Sequence, residues 1–356
     1  MKLSAKKNDL IKAIRCMTFP KSKLLIEAVD STVKLSSSDD TVVIKSQVDA
    51  DVHQIGKCCV STPIIFEILS KLRGDTVDLE VKEDKLSIKG SGKQSIVVAT
   101  LDVDSFPFQL NEPDSWHFTI DSEVIKKAFK KTLHSITVDK VPNALKGMQI
   151  KADGSILTFT GCDGKQFAIY STHIPSEEHF EAIIPKEHLK LVENILIEKE
   201  ISFTISNSFG VFATEKHILY TRLLVENYPP APPVLSKDLK CQVEIDSSEL
   251  INSIELATIT ANKDSKGIKA VLLKTVEGGM EIAARNELGK TTDFIIAETN
   301  GEEITSAYDS GYLIHALKAA DLPNVKLGFV DKNAPLIING ESSSFLVGAV
   351  LSREVS

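Results

Sequence analysis

Leu101-Asp102-Val103-Asp104-Ser105-Phe106-Pro107 and Leu223-Leu224-Val225-Glu226-Asn227-Tyr228-Pro229 are one strand ending written twice, 122 residues apart. A repeat of that length is too long for a solenoid unit and has the size of a whole domain. Other positions keep the same beat. Leu10-Ile11-Lys12-Ala13-Ile14 matches Ile125-Lys126-Lys127-Ala128-Phe129 and Leu250-Ile251-Asn252-Ser253-Ile254, and each run follows an apolar residue seven positions earlier: Leu3, Phe118 and Val243. Ser38-Asp39-Asp40 matches Cys162-Asp163-Gly164 and Arg285-Asn286-Glu287. Ile65, Leu189 and Leu313 sit at one further position, spaced 124 and 124. A chain of 356 residues allows two or three domains. The repeat selects three, at 1–115, 116–240 and 241–356.

One copy shows the local plan. Phe118-Thr119-Ile120 alternates as a strand, and Asp121 or Ser122 is placed to cap a following helix through its side-chain oxygen. Val124, Ile125, Ala128, Phe129 and Leu133 form the apolar face of that helix, with Lys126, Lys127, Lys130 and Lys131 largely opposite. Two alternating runs around Asp153-Gly154 predict a hairpin with its turn there. Pro185 marks the start of a second helix carrying His188, Leu189, Val192 and Ile195. Two alternating strands end the copy. The sum is an α+β unit of two helices backed by antiparallel strands. Asn111–Ser115 and the proline-rich Tyr228–Pro233 link the copies as extended connections.

The totals agree with a globular protein: 42% of residues are apolar and 25% charged, which suffices for packed cores. No apolar run reaches the ~18 residues of a membrane span, and the N-terminus lacks the apolar stretch of a signal peptide. Five cysteines without CxxC spacing read as reduced thiols of a cytoplasmic protein. The net charge of -8 argues against a uniformly basic nucleic-acid binder, yet four lysines in six residues at 126–131 make a local basic stripe.

Three two-helix units with lysines on a free helix face resemble the bacterial sliding clamp family, the beta subunit of DNA polymerase III. The most family-like segments are Leu145-Lys146-Gly147-Met148, Cys162-Asp163-Gly164-Lys165-Gln166-Phe167-Ala168, Tyr220-Thr221-Arg222-Leu223-Leu224 and Asn227-Tyr228-Pro229, and the likeness runs the full length. The resemblance implies a ring of two chains joined head to tail, a homodimer that encircles duplex DNA without sequence preference and tethers the replicative polymerase. Basic helices facing phosphates supply weak, salt-sensitive attraction, and an acidic exterior leaves the hole as the favoured site. It further implies binding to the DNA polymerase III alpha subunit, the clamp loader and other proteins bearing clamp-binding motifs. It implies no cofactor, no metal and no membrane, with a place in the cytoplasm at the nucleoid.

By repeat position the resemblance assigns DNA contacts to Lys6, Lys7, Lys12 and Arg15 in the first copy and to Lys126, Lys127, Lys130 and Lys131 in the second. Lys71, Arg73, Lys186, Lys190 and Lys318 are added from the second helices, and Lys263 and Lys266 follow the charge-poor first helix of the third copy. The partner-peptide pocket maps to Leu145, Cys162, Gly164, Lys165, Gln166, Phe167, Pro229, Val234, Leu346, Val347, Gly348, Ala349 and Val350. The dimer interface maps to Ile96 and Val98 in an edge strand, facing Ile259 and Thr260. Departures are also visible. The family usually reads Asp-Gly-His-Arg-Leu where this chain has Asp163-Gly164-Lys165-Gln166-Phe167, and it ends near Met-Pro-Met-Arg where this chain has Gly348-Ala349-Val350-Leu351-Ser352-Arg353. An altered peptide preference is expected.

Enzyme readings fail on their own terms. Gly90-Ser91-Gly92-Lys93 resembles the tail of a P-loop, but Ser87 stands where the first glycine is needed and Gln94 where a magnesium-holding hydroxyl is needed. A hairpin turn is the expected use. The eight histidines show no paired metal spacing, and Cys162 has no evident general base. The remaining alternative is a repeat scaffold that binds only proteins.

Overall fold

The computed structural model describes residues 1–106, 110–206, 208–263, 267–287 and 289–350. Six α-helices lie among the described residues: α1 (Lys7–Cys16), α2 (Thr62–Lys71), α3 (Ser122–Thr132), α4 (Lys186–Ile195), α5 (Ser247–Ile259) and α6 (Ser310–Ala320). Each odd-numbered helix follows directly on a short strand: Lys2–Lys6, Phe118–Asp121 or Cys241–Asp246. Leu3, Phe118 and Val243 in those strands are buried, as are Leu10, Ile125 and Leu250 in the helices and Ile65, Leu189 and Leu313 in the even-numbered ones. These shared apolar positions are therefore core positions, whereas Leu101 and Val225 in the two matching strand endings are 40% and 93% exposed. Carboxylates at the strand–helix junctions cap α3, α5 and α6, whereas the junctions before α1 and α2, at Lys6 and Ser61, make no side-chain cap. Asp121 accepts from the Glu123 amide at 2.8 Å, Asp246 from Glu249 and Asp309 from Gly311 and Tyr312.

Two compact units result, one of residues Met1–Glu123 with Glu187–Leu223, the other of Val124–Lys186 with Leu224–Ser356. They cut across the second repeat because its strands join two different sheets. In the first unit a 12-stranded sheet runs from Ser95–Ala99 at one edge to Phe118–Asp121 at the other. Within it, Val42–Gln54 of the first repeat pairs with His217–Arg222, the last strand of the second. In the second unit Gln166–Pro185 pairs with Ser343–Val347, the last described long strand of the third repeat. The registers correspond: Val42 lies opposite Thr221, and Gln166, 124 residues on, lies opposite Val347. A separate five-stranded sheet of the second unit has Gly289–Ile296 at its edge. No helix among the described residues is long and apolar enough to cross a membrane.

One local expectation is corrected. Asp153-Gly154 makes no hairpin turn. It lies inside one 16-residue strand, Gly147–Cys162, where the register against Gln166–Pro185 shifts. Gly154 takes φ +61 in open space, so the pair forms a bulge that lets the long ribbon bend. The hairpin turn falls at Asp163-Gly164-Lys165. There the Asp163 carboxylate accepts from the amides of Lys165 and Gln166, and Gly164 supplies φ +86. Gly90–Lys93 turns between Lys85–Lys89 and Ser95–Ala99, as the hairpin reading requires.

Candidate functional faces

The cations named from the sequence fall into distinct environments. Lys6, Lys12 and Arg15 are exposed. Lys7 is half-buried and donates to the Leu72 carbonyl at 2.9 Å, which holds α1 to the end of α2. Lys71 pairs with Glu67 one turn back, and Arg73 and Lys190 are exposed. Lys186 is half-buried with its amine on the Ile136 carbonyl. Lys318 pairs with Glu255 at 3.2 Å. Lys263 is exposed; Lys266 lies outside the described residues.

The dense run on α3 behaves unlike a free basic face. Lys126 is exposed. Lys127 pairs with Glu341 at 2.9 Å and stands 6.0 Å from the centre of the Tyr170 ring, and Lys130 pairs with Asp321 at 2.7 Å. The hydrogen-bonded lysines hold both carboxyls below their usual range. Lys131 is a correction to the DNA-contact set. Only 3% exposed, it points its amine at the carbonyls of Ala319 (3.4 Å) and Ala320 (3.1 Å) at the end of α6. Burial pushes its pKa down, and the amine satisfies acceptors that the helix end leaves open. The helical wheel put Lys131 near the polar side, but a neighbouring helix end covers that position.

The residues named for the partner pocket separate into two groups. Phe167, Val234 and Leu346 share an apolar cluster with Val330, Ala334 and Ile337, against which Cys162 also packs. Leu145 joins Ala144, Ile183 and Tyr228 in a second cluster, and Cys162 packs there too, so its half-buried side chain bridges the pair. Phe167 lies opposite Leu346 across the ladder, which points both side chains to one face. The turn Pro233–Ser236 delivers Val234 to the same place. Gln166 and Val347 alternate to the other face. Val347 belongs to the core of the third repeat, and Gln166 donates to the His134 carbonyl and to Asp163. Gly164, Lys165 and Pro229 are exposed at the rim. Gly348 donates to the Lys165 carbonyl at 2.7 Å, with no room for a side chain there, and Ala349 and Val350 pair with Tyr308 and Ala307. Leu351, Ser352 and Arg353 lie outside the described residues.

Ile96 and Val98 are half-buried in the edge strand, with Val97 between them 58% exposed. Ile259 is 72% exposed, whereas Thr260 is tied down by a 2.7 Å bond to Thr291. Sequence reading missed Leu256, Phe294 and Ile296, which are 51%, 51% and 81% exposed. Phe294 and Ile296 alternate with inward residues on the edge strand Gly289–Ile296, and the signal was available as two apolar side chains two apart on a strand's outer face.

Unpaired sheet edges with apolar side chains, basic helix faces and a two-lobed apolar cluster define a repeat protein that works by holding other molecules. Models of the DNA polymerase III beta subunit match the chain in order, the N-terminal domain at residues 1–111, the central domain at 119–230 and the C-terminal domain at 233–351. The chain is 23% identical over 359 residues to the beta sliding clamp of Bacillus subtilis (strain 168), covering 96% of this chain and 95% of that one. It is 24% identical over 331 residues to the beta sliding clamp of Chlamydia muridarum, covering 91% and 89%. Its fold matches the crystal structure of the DNA polymerase sliding clamp from Bacillus subtilis with a TM-score of 0.92 at 22% identity, covering 98% of this chain and 99% of that one. The DNA polymerase III subunit beta from Pseudomonas aeruginosa matches with a TM-score of 0.91 at 21% identity, covering 98% and 100%.

The chain belongs to the DNA polymerase III beta subunit family. Its function is that of a DNA sliding clamp, a non-catalytic processivity subunit, which sets aside both the enzyme readings and the protein-only scaffold.

Proposed function

We propose that two copies close head to tail into a ring around duplex DNA, each contributing three repeats bounded at 115/116 and 240/241. The observation that carries this reading is a pair of sheet edges that expose apolar side chains. Ser95–Ala99 exposes Val97, and Gly289–Ile296 exposes Phe294 and Ile296. A long apolar edge is a liability unless it is paired, and pairing one edge with the other across two copies removes both. Ile96, Val98, Leu256 and Ile259 complete that contact. Lys6, Lys12, Arg15, Lys71, Arg73, Lys126, Lys127, Lys130 and Lys190 then face the phosphates, with Lys7 and Lys186 orienting the helices from behind.

The cluster of Phe167, Val234 and Leu346, with Leu145 and Cys162 beside it, receives the apolar anchors of partner peptides from the DNA polymerase III alpha subunit, the clamp loader and other clamp-binding proteins. Lys165 and Gln166 in place of the family's usual His-Arg narrow the set of peptides accepted. The protein works in the cytoplasm, and we place it at the nucleoid. The test is retention on nicked circular DNA, loaded with a clamp loader, before and after one cut linearises the circle. A ring stays on the circle at raised salt and slides off the cut ends. Equal loss from both forms would sink the reading.

A further inference from the structure

The two ion pairs on α3 join different parts of the second unit. Lys127 reaches Glu341, in the turn between Leu336–Gly340 and Ser343–Val347, and Lys130 reaches Asp321, the residue that ends α6 in a left-handed conformation. Asp321 feels Lys130 first and then Lys131 and Lys127; Glu341 feels Lys127 and then Lys131. All four paired side chains remain open to solvent, 46% and 70% exposed in one pair and 59% and 61% in the other. Ion pairs that wet are weak, because water screens the attraction and holding two long side chains costs entropy. A phosphate arriving at such a lysine can displace the carboxylate.

Resting on the reading that α3 faces DNA, we infer that Asp321 and Glu341 are built-in competing anions that limit how strongly the Lys127 and Lys130 amines grip the phosphate backbone. A clamp must hold DNA by topology and still move along it, so every lasting phosphate contact is a drag. Each carboxylate cancels the charge of its lysine in the absence of DNA. When DNA is present it offers the lysine an alternative partner a short swing away. A lysine so balanced neutralises less phosphate charge and releases fewer counterions, so its share of the salt dependence falls. The first helix of the first repeat lacks the counterpart of Asp321. The position matching Asp321, eight residues past the shared Leu189/Leu313 position, is Ile197, and Arg15 in the place of Lys130 has no acid there.

The test measures binding of the intact dimer to short duplex DNA as a function of salt. Glu341→Gln with Asp321→Asn should steepen the slope of log affinity against log salt by up to ~1.8, since each freed lysine adds up to ~0.9. Between 50 and 200 mM salt that is about a tenfold larger fall in affinity. Removing Lys127 and Lys130 to alanine in the same background should abolish the gain. Asp30→Asn with Glu83→Gln, on turns remote in sequence from α3, makes the same change in net charge and should leave the slope alone. A gain that persists without the two lysines, or that the control also produces, would overturn the inference. So would an unchanged slope in the acid variant, and in that case the lysines decide what else fails. If their removal from the parent protein flattens the slope, DNA contact by α3 stands and only the brake is wrong. If it does nothing, the DNA reading of α3 fails as well. Sedimentation confirms that each variant keeps its fold and dimer.

Discussion

The first helix of the first repeat and the first helix of the second meet the next repeat's second helix in the same way and differ in what closes the contact. Cys16 and Lys131 occupy one position, six residues past Leu10 and Ile125. Cys16 donates its thiol to the Asn194 carbonyl near the end of α4, at 3.1 Å, and Lys131 donates its amine to two carbonyls at the end of α6. The same geometric need, a donor for helix-end acceptors, is met by a weak neutral group in one seam and a strong cation in the other. One step earlier, Arg15 is left open to solvent and Lys130 is paired. The apolar side of the ladder also differs. Val43 lies opposite Tyr220 in the first seam, with Leu110 and Trp116 packed against them, and Phe167 opposite Leu346 in the second, with Val234. A repeat therefore conserves a contact's geometry while its chemistry drifts, and a count of lysines along the sequence measures neither.

The largest effect is expected where the seam is missing from a single chain. In the third repeat the position of Cys16 and Lys131 is Leu256, which is 51% exposed. If that exposed face awaits the end of α2 in another copy, Leu256→Asp, or Ile296→Glu with Val97→Glu, should weaken dimerisation by roughly a hundredfold or more, in the range seen when charge is placed in a buried interface centre. Sedimentation across a concentration series reads this directly. An unchanged dimer would mean that the third seam is not built on the plan of the other two.

The next effect compares the two internal seams. Lys131→Ala leaves two helix-end carbonyls without a donor and a space where the chain lay. It should cost the second unit about 2–3 kcal/mol, within the range for orphaned buried acceptors plus lost packing. Cys16→Ala should cost about 1 kcal/mol, because a thiol is a weak donor and alanine removes little volume. Urea midpoints measure both. Equal losses would mean that the carbonyls of α6 are satisfied by another route.

These differences mark the limit of what the sequence disclosed. The repeat, the strand–helix openings and the buried positions Leu3, Phe118 and Val243 were legible because they depend on periodicity, which one chain records in full. The apolar cluster was legible in part: Phe167, Val234 and Leu346 meet, while Val347 points into the core because neighbouring strand residues alternate. The fate of Lys131 was not legible, because its cover is a helix end 188 residues away. The bulge at Asp153-Gly154 was misread as a turn for a related reason. The dipeptide permits a turn, and only the strand continuing on both sides rules it out.

A smaller effect tests the charge difference between α1 and α3. Lys12→Ala with Arg15→Ala removes two open cations and should flatten the salt dependence of DNA binding by up to ~1.8, whereas Lys127→Ala with Lys130→Ala should flatten it by about half as much or less. Equal changes would mean that the carboxylates on the α3 lysines give way completely to phosphate.

The smallest effect concerns a ring that replaces a benzene ring. Nine residues past Leu10 stands Phe19, buried in the first repeat, and nine past Ile125 stands His134. His134 lies 5.8 Å from the Phe345 ring and 6.4 Å from His315, and its pKa is pushed down to about 4 by burial first, then by His315 and Lys186. A histidine with a folded pKa below its ordinary 6.5 takes up its proton more readily in the unfolded chain. Its contribution to stability is therefore complete above pH 6.5, declines as pH falls towards 4, and changes little below that. His188 and His217 are lowered by burial as well, so the parent protein loses stability on acidification whatever His134 does. His134→Phe isolates one component. The variant copies the first repeat, and its thermal midpoint should gain on the parent's between pH 6.5 and 4 and run parallel to it above 7. Parallel curves throughout would mean that His134 is protonated alike in both states and that, for this position, the two repeats differ in shape alone.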